Sequence, residues 1–167
     1  MILSVTGHRP SLSTFPDTDR VLAQLRTFAK RLLQFHDPDK VLTGMAKGWD
    51  TAVAQACCDM HIPFVACVPF PNQDEFWEAY DRKRYQSLLK RAADVVFTSS
   101  ELFPRGSNQL TPLYYQRNRY MVDNSDRLLA LWDGRETGGT WYTVQYATEK
   151  GKPVEQLWKQ WKKHRTI

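Results

Sequence analysis

The sequence predicts an α/β protein, a single Rossmann-like domain whose mostly parallel sheet is flanked by helices on both faces. Three observations predict it. Short apolar runs alternate with segments of helical period, the rhythm of βαβ units. Glycine-containing loops follow the runs that end at Thr6, Thr43 and Trp132. The 167 residues, 42% of them hydrophobic, suffice for one core without disulfides and leave no room for a second full domain.

Ile2–Thr6 reads as the first strand, followed by the turn Gly7-His8-Arg9-Pro10. From Asp17 to about Phe35, Val21, Leu22, Leu25, Phe28, Ala29, Leu32 and Leu33 repeat at helical spacing. Lys40–Thr43 is the second strand, and a helix is expected from Asp50 to about Met60, where Asp50 either serves as N-cap or offers its carboxylate to the hydroxyls of a ribose. Pro63–Val68 is the third strand. Glu75 to about Ala92 reads as a helix that turns Phe76, Trp77, Tyr80 and Leu88 toward the core. Asp94–Thr98 is the fourth strand, and a polar loop with Pro104, Gly106 and Pro112 follows. Leu113–Asp123 is helical and Arg127–Trp132 is the fifth strand. Thr140 to about Lys150 forms a helix that Gly151 would cap and Pro153 would stop. Val154 begins an edge strand. Leu157, Trp158 and Trp161 mark a closing helix at about 155–165, rich in basic residues. Strands this short and apolar are expected to be buried on both faces.

The cysteines Cys57, Cys58 and Cys67 are odd in number and lie in apolar runs, which argues against a disulfide framework and for a reducing compartment. Neither they nor the four histidines have the spacing of a zinc site. Met1–Thr6 reads as a strand, not a signal peptide, and no apolar run approaches the ~20 residues that span a bilayer. The expected location is the cytoplasm, away from membranes. The net charge of +5 is concentrated in Arg82-Lys83-Arg84 and in Lys159, Lys162, Lys163 and Arg165. Such runs permit an anionic partner, although a solvated helix face and a basic tail are the commoner explanation.

Ligands of parallel sheets sit at the carboxyl ends of the strands, near a switch point. The loops after strands one, two, three and five therefore hold the candidate residues. Thr6, Gly7, His8 and Arg9 leave the first strand. Gly44, Met45, Ala46, Gly48 and Asp50 leave the second, where small residues admit a ligand to the backbone and helix-start amides favour an anion. Asp133, Gly138, Gly139 and Thr140 leave the fifth, offering unhindered donors to phosphate in a pattern that is neither a Walker loop nor GxGxxG. Arg117, beside Asn118, could fork onto phosphate oxygens. After strand three, Phe70 and Trp77 could stack on a base with Glu75 or Gln73 nearby, though core packing is the commoner use of such aromatics.

Together Thr6-Gly7-His8-Arg9-Pro10, Thr43 through Asp50, Arg117-Asn118 with Met121-Val122-Asp123, and Gly138-Gly139-Thr140 resemble the SLOG superfamily, in particular its YpsA-like subfamily. The resemblance runs from Ile2 to about Val154. It implies a Rossmann-like fold with the ligand at the glycine loops. The stretch from Arg117 to Thr143 is similar to the "lonely guy" phosphoribohydrolases, which release a base from a nucleoside monophosphate. Arg117 matches their helix arginine, and Gly139 and Thr140 match the end of their PGGxGTxxE loop. Their glutamate position holds Thr143 here, which cannot supply a carboxylate for cleavage of an N-glycosidic bond. Asp50, Glu75 or Asp133 would have to replace it. Gly44–Asp50 also resembles DNA-processing protein A, a single-stranded DNA binder, which makes such DNA the alternative partner. The resemblance further implies homodimers, common among these relatives. The reading is a protein that binds or senses a nucleotide or nucleotide-sugar ligand and requires no resident cofactor. Hydrolysis of a nucleoside phosphate and single-stranded DNA binding are the alternatives.

Overall fold

A computed structural model describes residues 1–100 and 110–165 of the chain. It is an α/β structure built on one six-stranded sheet. The elements in order are β1 (Ile2–Gly7), α1 (Asp19–His36), β2 (Lys40–Thr43), α2 (Trp49–Met60), β3 (Phe64–Val68) and α3 (Ala79–Arg91). They continue as β4 (Asp94–Phe97), α4 (Leu110–Asp123), β5 (Arg127–Leu131), α5 (Gly138–Glu149), β6 (Val154–Gln156) and α6 (Trp158–Arg165).

The strand order is β4-β3-β2-β1-β5-β6, and every neighbouring pair is parallel. The chain starts in the middle, walks outward to β4, then returns to the other side of β1 with β5. The reversal lies between β1 and β5, where Thr6 pairs with Ala130 and Gly7 with Leu131.

Alternate residues of each strand feed two cores. Leu3 and Val5, Val41, Ala66 and Val68, Leu129 and Leu131 pack beneath α1, α2, α3 and α6. α1 contributes Val21, Leu25, Phe28, Ala29, Leu32 and Leu33, each full burial of a large side chain contributing roughly 1.5–3 kcal/mol. On the other face Leu128 and Ala130 meet Val122, Val144 and Ala147, while Leu42, Val65 and Cys67 meet Met121. This second face belongs to α4 and α5. The three cysteines are free thiols. Among the described residues no helix is long and apolar enough to cross a membrane.

Several expectations need correction. Phe76 and Tyr80 are 76% and 67% exposed, not in the core. Residues 71–76 form turns, so α3 starts four residues later than its periodicity suggested, and Tyr85 joins Leu88 as the buried pair. Strand β4 is an edge, and none of its residues is fully buried. Pro112 lies in the first turn of α4, where a missing N–H costs no hydrogen bond. Pro104 and Gly106, assigned to the same loop, fall outside the described residues. Gly48, not Asp50, is the N-cap of α2.

Candidate ligand-binding site

A cleft of about 390 Å³ opens at the carboxyl edge of the sheet, over the β1/β5 reversal. The end of β1 supplies Thr6, Gly7, His8 and Arg9; the β2–α2 segment supplies Ala46 and Asp50; α4 supplies Arg117 and Asn118; the start of α5 supplies Gly138, Gly139 and Thr140. All eleven were singled out in the sequence, and the topology gathers them at one place.

Arg117 forms the floor. It is 4% exposed, yet no carboxylate among the described residues touches it. Nε donates to Asn118 Oδ1 at 2.9 Å, and Nη1 donates to the carbonyls of Gly44 at 2.5 Å and Cys67 at 3.3 Å. A guanidinium has five N–H groups. These bonds leave those of Nη2 without a partner among the described residues, on a side chain that lines the cleft. Burial pulls the Arg117 pKa down, and the Asp50 charge only partly restores it.

Asp50 is the one carboxylate among the described residues that lines the cleft. Its Oδ2 accepts from the Ala46 amide at 3.2 Å, while Oδ1 is buried without a partner. Burial pushes its pKa up to about 6, against the opposing pull of Arg117, the Ala46 amide and Arg9. The segment before it is stitched in place. The Thr43 hydroxyl donates to Asp50 O at 3.0 Å, and Gln73 Nε2 donates to Met45 O at 3.3 Å. Met45 is fully buried at a φ of +59°, a conformation that costs an L residue roughly 1–2 kcal/mol and is held by these bonds.

At the opposite wall α5 begins. Thr137 caps it with no side-chain hydrogen bond, so no cap occupies the first-turn amides of Gly138, Gly139 and Thr140. Gly138 has a φ of +86°, which favours glycine. A Cβ on Gly139 would meet only Asn118 Nδ2, at 4.0 Å.

The rim couples β1 to β5. Asp133 N donates to His8 Nε2 at 3.0 Å, and Asp133 Oδ1 lies 3.1 Å from the same nitrogen. Burial lowers the His8 pKa and Asp133 only partly offsets it, so the neutral ring is favoured and Nε2 accepts from the amide. Burial works to raise the Asp133 pKa, but bonds from the Arg135 amide and guanidinium hold it below the usual range.

Five candidates do not line the cleft. Gly44 lies behind Arg117, and its small size makes room for the guanidinium: a Cβ there would fall 2.6 Å from Nη1. Met45 is internal, and Gly48 turns with φ +92° against Pro10 and Phe15. Asp133 acts behind His8. Glu75 accepts a bond from Asn72 at 2.7 Å in an exposed turn. Phe70 packs edge-on against Tyr114, and Trp77 against Tyr85, so neither lines the cleft as a base platform. Thr143 is fully buried and donates to Gly139 O at 2.8 Å, away from the cleft.

Sequence reasoning missed Tyr114 and Tyr115, which line the cleft from α4. Arg9 lies over the Tyr114 ring at 5.0 Å and Arg117 at 5.6 Å. Tyr115 stacks on Tyr142 at 3.9 Å. Tyr114 stands three residues before Arg117 and Tyr115 three before Asn118, the spacing of neighbours on one helix face, and that was the available signal.

The fold is shared with solved structures. DNA processing protein A (DprA) from Streptococcus pneumoniae aligns with a TM-score of 0.63 at 17% identity, over 91% of this chain and 48% of that one. This chain thus spans about half that protein's length. The molybdenum cofactor carrier protein of Chlamydomonas reinhardtii aligns at 0.53 with 15% identity, over 92% and 73% of the two chains. In sequence the chain is similar to the UPF0398 protein YpsA of Bacillus subtilis, 24% identical over 159 residues, covering 89% of this chain and 85% of that one. It is 28% identical over 152 residues to the SPbeta prophage-derived protein YoqJ of the same organism, covering 84% and 85%. The YspA SLOG family matches residues 3–160, and the chain belongs to that family.

Proposed function

We propose that the cleft binds a nucleotide-derived ligand through its phosphate and ribose. The observation that carries this reading is Arg117: a buried cation, held by neutral carbonyls, with N–H groups that have no partner among the described residues at an open cleft. Burying a charge that Asp50 only partly compensates is costly, and an anion at Nη2 offsets that cost. The amides of Gly138, Gly139 and Thr140 face the same space and favour phosphate. Asp50 Oδ1 needs a donor, which a ribose hydroxyl supplies. Tyr114 and Tyr115 offer rings on which a base can stack. Titration calorimetry with nucleoside monophosphates tests the reading. Binding is expected to fall at least ten-fold in Arg117→Gln and in Asn118→Ala, and undiminished affinity in both variants overturns it.

The placement of Asp50 favours a second reading, hydrolysis of the N-glycosidic bond: it is the one carboxylate among the described residues that lines the cleft, and burial pushes its pKa up to about 6, within the range of a general acid or base. Thr143, turned into its own helix, argues against it. Incubation with nucleoside monophosphates is expected to release no free base by chromatography. Release that disappears in Asp50→Asn would establish the hydrolase.

A further inference from the structure

The cleft does not end at His8 and Arg9. A second hollow of about 280 Å³ lies beyond them, between the β1–α1 loop and the β5–α5 loop. His8, Arg9 and Thr137 line both spaces, so the two are neighbours across a shared wall. Seven of the eight residues that line the second hollow are polar, and Pro10 is the eighth. Ser11, Ser13 and Thr14 contribute hydroxyls, with Ser11 Oγ 3.2 Å from Ser13 Oγ and 3.0 Å from Thr14 Oγ1. Arg135 closes the far side and donates from Nη2 to Ser13 Oγ at 3.3 Å, bridging the two loops.

Resting on the proposed nucleotide reading, we infer that the ligand is two-headed: a nucleoside diphosphate derivative whose nucleoside and first phosphate fill the cleft and whose hydroxylated substituent fills the second hollow. The order of charges along the path carries this. Arg117 lies at the floor of the cleft. Next come the unoccupied first-turn amides of α5 and the exposed Arg9, at the junction. Arg9 makes no ion pair among the described residues and rests on the Tyr114 ring. A row of cationic and amide donors at the junction matches a diphosphate, whose two groups reach both sides of it. Beyond it, hydroxyls and one guanidinium match a sugar, whose hydroxyls both donate and accept. Ligand sites commonly run to roughly 300–1,000 Å³. The cleft, at about 390 Å³, lies at the low end of that range, and the hollow adds about 280 Å³ beside it for a second moiety. A mononucleotide would leave Arg9 and the hollow unused.

The test pairs each common nucleoside monophosphate with the diphosphate-sugar of the same base, in titrations of the whole chain. Ser11→Leu and Ser13→Leu probe the second hollow from exposed positions that line it and not the cleft. The diphosphate-sugar of at least one base is expected to bind about ten-fold or more tighter than its monophosphate. That gain should be lost in both variants, while monophosphate affinity stays within about two-fold. Equal affinities for the paired ligands in the wild type, or a gain that survives both variants, overturns the two-headed ligand while monophosphate binding through Arg117 upholds the cleft reading. Absence of binding by every ligand overturns both.

Discussion

Arg117 occupies the space that a side chain at Gly44 would need: Nη1 donates to the Gly44 carbonyl at 2.5 Å, and a Cβ on Gly44 would fall 2.6 Å from Nη1 and 2.7 Å from Cζ. Glycine is demanded here by a neighbouring side chain. Its φ is not positive, so backbone strain plays no part.

Gly44→Ala must therefore displace the guanidinium. The displaced group loses its bonds to Gly44 O and Cys67 O, and overpacking of this kind costs about 1–3 kcal/mol. A drop of that size in unfolding free energy is expected by denaturant titration. Phosphate affinity should fall further than stability does, because Nη2 no longer faces the cleft. Unchanged melting and unchanged anion affinity would show that the arginine relocates freely.

The two glycines at the start of α5 separate strain from access. Gly138 sits at φ +86° with open space around it, so Gly138→Ala meets no atom but pays roughly 1–2 kcal/mol in backbone conformation. Gly139 has an ordinary φ and room for a Cβ, so Gly139→Val leaves the fold intact and places its methyls toward the cleft. Calorimetry is expected to show lost stability with retained binding capacity for the first, and retained stability with lost nucleotide binding for the second. The reverse pattern would remove the α5 amides from the site.

The sheet, its parallel sense and the positions of its strands were legible because alternation of apolar runs and helical periods is written along the chain. Asp50 and Arg117 were legible as candidates because polar residues beside small ones stand out at strand ends. What was not legible depended on contacts between distant segments. Gly44 looked like an opening for a ligand, and only the approach of α4 shows that Arg117 fills it. Tyr114 and Tyr115 read as ordinary helix aromatics until α4 is placed beside β1. Phe76 and Tyr80 fit a helical period, but the turns at 71–76 delay the helix and leave both exposed. Glu75 was grouped with the site by its place after β3, and that loop packs instead around Gln73 and Tyr85.

The basic helix α6 makes the single-stranded DNA alternative separable from the nucleotide reading. Trp161 anchors α6 against Phe15 and Phe28, and Lys159, Lys162, Lys163 and Arg165 remain exposed without lining the cleft. DNA held by such surface cations loses affinity with a log–log salt slope of about −0.7 per phosphate. Any oligonucleotide binding at low salt is expected to fade near physiological salt and to weaken when these four residues are changed to glutamine. Nucleotide affinity should survive both changes. Tight, salt-tolerant, strand-length-dependent DNA binding without nucleotide affinity would promote the DNA reading.

Asp50 makes stability depend on pH in a stated direction. Its folded pKa of about 6 stands above the ordinary carboxylate value of 3.8, because burial disfavours the charged form more than Arg117 and the Ala46 amide favour it. A folded state that holds its proton more tightly than the unfolded chain is stabilised at low pH. The contribution is fully present below about 3.8 and is lost as pH rises through about 6. Two pKa units set its ceiling at about 3 kcal/mol, and solvent reaching the cleft lowers it. Asp50→Asn keeps the shape and cannot ionise, so subtracting its stability isolates this group from carboxylates such as Asp59 that titrate elsewhere. Unfolding of both proteins by urea at pH 4, 5, 6 and 7 is expected to show the wild type losing stability relative to the variant across that window. A ligand that donates to Oδ1 favours the ionised form and should bind more tightly above pH 6 than below it. A difference between the two proteins that stays flat from pH 4 to 7 would mean that Asp50 titrates normally, and the unpartnered oxygen would no longer argue for a ligand donor.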